Sequence, residues 1–196
     1  MLSQKLKNHH IILASGSPRR QQLLRGLDID FEVRLKDVEE IYPDSLRGKE
    51  ITEYLTKLKS DAFDALLAPN DILITSDTIV WFEDKALGKP KDEKEALHML
   101  RSLSGNTHLV ITSVGFRTHK TFDVITETTR VTFNPLTDEA IRYYVENYRP
   151  LDKAGSYGIQ EWIGFVAVSK IEGSYANVMG FPVDRVFEYL SAISNL

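Results

Sequence analysis

Six consecutive residues, Ser15-Gly16-Ser17-Pro18-Arg19-Arg20, hold the parts of an anion site. Ser17 suits the N-cap of a helix and Pro18 its first position, so the free backbone N–H groups of that helix start face out of the loop. Arg19 and Arg20 then fall in the first turn, where the helix dipole disfavours a cation by roughly 0.3 to 1 kcal/mol. A bound polyphosphate would reverse the sign. The same residues also describe an ordinary capped helix carrying two solvated arginines, and the spacing alone does not choose between the two.

Asp77 is the second chemical signal. It stands in a polar centre, Thr75-Ser76-Asp77-Thr78, inside an otherwise apolar run from Asp71 to Phe82. A carboxylate in a buried strand is costly unless a cation or hydrogen-bond donors compensate it. A divalent metal sharing oxygen ligands with a triphosphate would do so, with a partner acid from Glu39-Glu40; the alternative is a place at the strand's exposed end, bonded to nearby N–H groups. Lys89, in Leu87-Gly88-Lys89-Pro90, and Lys59 offer mobile point charges for phosphate, or ordinary solvated charges. His9, His10, His98, His108 and His119 lack metalloprotease spacing and read as surface or core-edge residues. Neither G-x-x-x-x-G-K-[ST] nor G-x-G-x-x-G occurs.

The elements that must position these residues alternate. His10 to Ala14 is a short apolar strand that breaks at Ser15-Gly16-Ser17, and a helix from Pro18 stops at Gly26. Ile51, Tyr54, Leu55, Leu58, Ala62 and Leu66 recur at helical spacing and predict a helix from about Lys49 to Ala68, with its lysines on other faces. After the strand Asp71 to Phe82, Asp92 and Glu95 form a capping box for a helix carrying Ala96, Leu97, Leu100 and Leu103, closed by Ser104-Gly105-Asn106. Thr107 to Thr118 and Phe122 to Phe133 predict an antiparallel hairpin. A helix from about Asp138 to Asn147, a glycine-rich loop through Lys153 to Gly158, a strand pair around Phe165 to Ile171 and a last helix after Pro182 complete the chain. This is an α/β pattern with a mixed sheet and no linker rich enough in Pro, Gly or Ser to separate independent domains.

Composition sets the outer bounds. With 196 residues, 42% hydrophobic and 27% charged, the chain can bury a sizeable core as one domain. It has no cysteine, which removes disulfides, thiolate metal sites and a cysteine nucleophile, and fits a cytoplasmic setting. No apolar run approaches the roughly 20 residues that cross a bilayer, and the run behind Lys5 and Lys7 is too short for a signal peptide. A net charge of −4 gives no general attraction to nucleic acid.

Taken in order, Ala14 to Arg20, Ser76-Asp77-Thr78-Ile79-Val80, Gly88-Lys89-Pro90, Leu103-Ser104-Gly105-x-Thr107-His108 and Asp152 to Gln160 closely resemble the Maf family of nucleotide pyrophosphatases, from about Ile11 to Leu190. The resemblance implies a mixed β-sheet with flanking helices and two lobes around a nucleotide cleft, similar to inosine triphosphate pyrophosphatases, and often a homodimer. It implies that Ser15, Ser17, Arg20, Lys59 and Lys89 hold phosphates, that Glu40 and Asp77 organise a divalent cation such as Mg²⁺ or Mn²⁺, and that Asp77 is the proton acceptor. Arg19, Thr78 and Gln160 resemble the branch that prefers dTTP and UTP, where the matching positions are associated with base choice.

One departure follows Gln160. Glu161-Trp162 stands where relatives usually carry glycine or another small residue, so Trp162 either crowds the base pocket, altering preference among natural and modified pyrimidines, or faces solvent or a dimer partner. The rival reading from another class is a non-catalytic nucleotide-binding regulator of septum formation using the same cleft. The set Glu40, Asp77 and Lys89 favours catalysis, because a binding module needs no water-activating carboxylate.

Overall fold

A computed structural model describes residues 1–193. Its axis is strand β3 (Asp71–Phe82), flanked before it by β1 (His10–Leu13) and β2 (Glu32–Val33) and after it by β4 (Lys85–Leu87), β5 (Thr107–Arg117), β6 (Phe122–Phe133) and β7 (Val168–Glu172). Seven strands form one mixed sheet in the order β2-β1-β3-β5-β6-β7, with β4 also on β3. Along one edge β3 pairs antiparallel with β5 from Leu73 to Trp81. The other edge is shared. β1 pairs in parallel with Asp71 to Ile74, and β4 pairs antiparallel with Val80 to Phe82 across a two-residue turn whose residues, Glu83 and Asp84, both have positive φ. Between Thr75 and Ile79 no strand among the described residues lies against this edge, because β1, which follows the short helix α1 (Leu2–Lys5), stops at Leu13 and the chain turns away into helix α2 (Pro18–Arg25).

The side chains of β3 alternate between two faces. Ile72 and Ile74 join a core with Leu24 of α2, Phe181, and Val186 and Leu190 of the last helix. Further along the same face Val80 joins a second core, built from Ala96, Leu100 and Leu103 of the helix Glu93–Leu103 and Ile141, Tyr144 and Val145 of the helix Asp138–Tyr148. Ser76 and Thr78 lie between the two cores. On the opposite face Ile79 packs with Ile51 and Leu55 of the helix Lys49–Asp61, while Leu73 packs with Phe63. The mixed sheet with flanking helices is the architecture expected from the alternating pattern.

Two expected elements differ. The helix from Lys49 ends at Asp61 rather than Ala68. Beyond it Phe63 turns into the core against Ile12 and Leu73, and Arg117 of β5 gathers Ser60 Oγ at 2.6 Å together with the carboxylates of Asp61 and Asp64, so tertiary contacts override the helical periodicity. The strand pair around Phe165 to Ile171 is instead a short helix, Trp162–Ala167, followed by the single strand β7. Only Ile163 and Ala167, four apart, face inward, while Phe165 is 82% exposed. Gly164 permits this winding, since a Cβ there would lie 1.8 Å from the Ile159 carbonyl oxygen.

His108 is also corrected. It is fully inside rather than at the core edge, with Nε2 2.8 Å from the Tyr157 hydroxyl and its ring edge-on to Phe133 and Tyr157. Burial pushes its pKa down to about 4 from 6.5. Below about pH 6.5 the unfolded chain therefore takes up a proton that the folded chain refuses, and stability falls as pH drops toward 4, by at most about 3 kcal/mol, then levels off. His108→Gln keeps a polar partner for Tyr157 and cannot titrate. Urea unfolding at pH 7 and pH 4.5 should show a smaller stability loss in the variant than in the wild type; equal losses would remove His108 from this role.

Candidate active site

The unpaired edge of β3 opens into a cleft of about 710 Å³, within the range of small-molecule sites. Its walls come from the loop after β1 and the start of α2, the extended segment 35–42, the helix Lys49–Asp61, the Gly88-Lys89 loop, the segment Asp152 to Gln160, and Val178 to Gly180. Ser15, Ser17, Arg19, Arg20, Glu40, Lys59, Asp77, Thr78, Lys89 and Gln160, all singled out in the sequence for site chemistry, line it, whereas of the two candidate partner acids Glu39 does not.

Asp77 lies mid-strand and is 5% exposed, so the exposed-end alternative falls. Its Oδ1 takes a 2.6 Å contact from Lys59 Nζ, and the same ammonium lies 3.2 Å from Glu40 Oε1. Lys59 follows Leu55 by one helical turn and so points inward, not on an outer face as the periodicity suggests. Burial raises the Asp77 pKa above the ordinary carboxylate value, outweighing the nearby charges of Lys59 and Arg20. Burial also pushes Glu40 upward, but Lys59, Lys89 and Arg20 together overcome it and leave Glu40 lowered. Lys89 itself is exposed at the cleft rim.

Arg20 has a different surrounding from that of a free phosphate ligand. Nε donates to the Gly180 carbonyl at 2.9 Å, one terminal nitrogen to the Ser76 carbonyl at 2.9 Å and the other to Thr78 Oγ1 at 3.0 Å. The Ile74 carbonyl accepts from the Ala14 N–H, so the Ser76 carbonyl two residues on points to the same edge, where no strand follows. The guanidinium stands in for the missing strand. Thr78 Oγ1 continues inward to Thr112 Oγ1 at 3.0 Å.

The helix start is formed as its sequence suggests. Ser17 caps α2 with Pro18 at its beginning, and Ser15 Oγ accepts from the Ser17 N–H at 3.2 Å. Arg19 reaches across the mouth to Asp152 at 3.1 Å. Beyond Asp152, Gly155 has φ +66 and donates its N–H to the Gly88 carbonyl at 3.1 Å; a Cβ on it would come within 2.6 Å of Val80 Cγ2. Gln160 lines the cleft with its Oε1 buried and unpartnered. Trp162 is not part of the lining: it packs edge-on to Tyr143 at 5.0 Å, beside the second core. Asp152 and Lys153 take part in the wall without having been singled out by residue type, although both stand in the motif Asp152 to Gln160; a charged pair just ahead of a glycine-rich turn is the signal that points to them.

The donor chemistry fits a small hard cation. Among the described residues no three acidic or histidine side chains gather as a metal cage. Asp77 and Glu40 nevertheless converge on one positive centre, the Lys59 ammonium, and two carboxylates suit a divalent ion that takes its other oxygens from phosphates and water.

Over residues 10–193 the sequence matches the family described as Maf-like protein. It is 60% identical to a dTTP/UTP pyrophosphatase of Flavobacterium johnsoniae, over 98% of this chain and 100% of that one. It is 57% identical to a dTTP/UTP pyrophosphatase of Flavobacterium psychrophilum, over 97% of each chain. Among solved structures, the Staphylococcus aureus Ham1 protein shares the fold with a TM-score of 0.54 at 17% identity, covering 94% of this chain and 99% of that one.

Because Arg20 ties the Ser76 carbonyl, the Thr78 hydroxyl and the Gly180 carbonyl together with three donors, Arg20→Lys, which keeps the charge and loses the fork, should cost about 2 kcal/mol or more. The urea midpoint measures it, and an unchanged midpoint would show that the edge does not depend on the guanidinium.

Proposed function

The chain belongs to the Maf-like protein family, and from that premise we propose that it hydrolyses dTTP and UTP to the monophosphate and pyrophosphate. The observation that carries the reading is the buried Asp77 carboxylate, set at an open strand edge with Lys59, Lys89, Arg19 and Arg20 around it. Lys59 and Arg19 already hold carboxylates, so a triphosphate would take them by exchange of partners and would bring further negative charge to Lys89 and Arg20. Its phosphates lie toward the α2 start, where Ser15 and Ser17 offer their hydroxyls at a helix N-terminus and Lys59 and Lys89 supply point charges. Arg20 contributes its charge from beneath while remaining bonded to the β3 edge.

Asp77 and Glu40 would hold the divalent cation, Mg²⁺ or Mn²⁺, whose contribution when bound is to withdraw charge from the phosphate oxygens. Asp77, its basicity raised by burial, accepts a proton from a water that attacks the α-phosphorus, while the bond to the bridging oxygen breaks and pyrophosphate leaves. Lys59 and Lys89 neutralise the charge that develops on the leaving pyrophosphate. No covalent intermediate is needed.

For the base, Gln160 lines the cleft, and its carboxamide oxygen, buried and without a partner where it lies, gains a donor when the group turns to meet a base. Thymine and uracil supply N3–H in place of the bare N3 of cytosine. Arg19 and Thr78 frame the same cleft. The names of the relatives support this preference. A nucleotide-binding regulator without catalysis is not favoured, since it would have no use for a proton acceptor at the cost of burying one.

We read the chain as a single domain whose two cores are the lobes around the cleft, placed in the cytoplasm in keeping with its lack of cysteine. No helix among the described residues is long and apolar enough to cross a membrane. Exposed Tyr143, Phe165 and Val166 support pairing of two copies.

Incubation with Mg²⁺ or Mn²⁺ and a panel of nucleoside triphosphates should release monophosphate and pyrophosphate, fastest from dTTP and UTP. Orthophosphate and diphosphate as products would place the cleavage elsewhere and sink the proposal. Asp77→Asn should lower kcat by about 100-fold or more while UTP still binds by calorimetry; near-normal turnover would take the proton-acceptor role from Asp77.

A further inference from the structure

Glu161 lies just behind the cleft wall, yet each of its carboxylate oxygens is committed to a residue that shapes that wall. Oε2 accepts the Tyr144 hydroxyl, and Oε1 pairs with Lys153 Nζ at 3.1 Å. Burial, followed by the bond to Glu161, raises the Tyr144 pKa far above its usual value, so this hydroxyl keeps its proton and donates it to Glu161. Its oxygen is then left to accept the Gly158 N–H, at 3.0 Å. Lys153 also donates to Asp152 Oδ1 at 2.7 Å, and Asp152 Oδ2 receives Arg19 at 3.1 Å. The bonds thus run without a break from Arg19, on α2, to Gly158, two residues before Gln160.

The packing leaves little slack. A Cβ on Gly158 would lie 2.9 Å from Glu161 Cδ, 3.0 Å from Gln160 Nε2 and 3.1 Å from Lys153 Cε. Lys153 is 8% exposed and Tyr144 is fully buried, so neither can trade its partner for bulk water. An apolar residue at position 161 would leave a buried hydroxyl without its acceptor and a buried ammonium with one carboxylate in place of two. The segment Gly158 to Gln160 would then lose its fixed position relative to Arg19.

We propose that Glu161 is a specificity-determining positioning residue, which acts through Tyr144 and Lys153 to set where the Gln160 carboxamide meets the pyrimidine edge. The proposal rests on the pyrimidine triphosphate reading of the cleft. A carboxamide has both a donor and an acceptor, so it can meet the edge of uracil or, turned over, the edge of cytosine. Discrimination between them requires the group to be held in place, because a small misplacement at a recognition contact erodes selectivity.

The test is the ratio of kcat/KM for UTP to that for CTP. Glu161→Ala should lower it about tenfold, chiefly through a higher KM for UTP, and Glu161→Gln, which keeps an acceptor for the Tyr144 hydroxyl, should recover most of it. Tyr144→Phe removes the hydroxyl that links Glu161 to Gly158 and should lower the ratio as Glu161→Ala does; it decides the matter should the alanine variant fail to fold. A uniform fall in activity on every base, with the ratio held at the wild-type value in the folded variants, would mark the network as structural and overturn the proposal. Should the wild type release no pyrophosphate, the hydrolytic reading fails on its own. Relative binding of non-hydrolysable UTP and CTP analogues to the same variants, by calorimetry, then decides the role of Glu161: a lowered preference for the UTP analogue supports it, and an unchanged preference overturns it.

Discussion

A strand edge inside a protein cannot be left with bare carbonyl and N–H groups, and the section of β3 from Thr75 to Ile79 is such an edge. The structure resolves it with a side chain. Arg20, delivered by a helix that starts as β1 ends, takes the Ser76 carbonyl on one nitrogen and ties Thr78 and Gly180 to the same point with the others. Filling the gap with another strand would have closed the sheet and removed the cleft. Filling it with a guanidinium gives the Ser76 carbonyl a donor, leaves the edge open to the cleft, and places a positive charge beneath it.

The charges around that edge follow from the same opening. Asp77 is buried enough that desolvation lifts its pKa, yet it is held by Lys59, which also serves Glu40. The wall opposite carries its own balanced set, Arg19 with Asp152 and Lys153 with Asp152 and Glu161. Asp77, Glu40, Asp152 and Glu161 therefore each have a basic partner close by, so the site avoids the cost of naked buried charge. These partnerships are between side chains at short range, so a polyanion with its own cation would be received by an exchange of partners.

Much of the fold was legible because its elements announce themselves locally. Ser17-Pro18 and Asp92 with Glu95 are helix starts by chemistry, and the caps are seen at Ser17 and Asp92. The long hairpin of β5 and β6 followed from its β-rich runs. Failures came where distant residues decided the outcome. Arg117 and Phe63 ended a helix whose own periodicity ran on, and Trp162 to Ala167 wound into a helix because the core offered space only to Ile163 and Ala167. The residues that line the cleft could be named from motifs, but their partners could not. Nothing in the sequence says that Arg20 is spent on a carbonyl, that Trp162 turns away toward Tyr143, or that Glu161 answers to Tyr144.

Gly155 links the two ends of the cleft more rigidly than its place in a loop would suggest. Its missing side chain lets the loop press against Val80, three residues beyond Asp77 on the same strand, and its N–H fastens to the Gly88 carbonyl beside Lys89. The segment Asp152 to Gln160 and the strand that bears Asp77 are in effect one solid part. Change in what this wall accepts then has a narrow route: side chains can be exchanged on the frame, but the loop cannot slide without dragging the strand of Asp77 along with it.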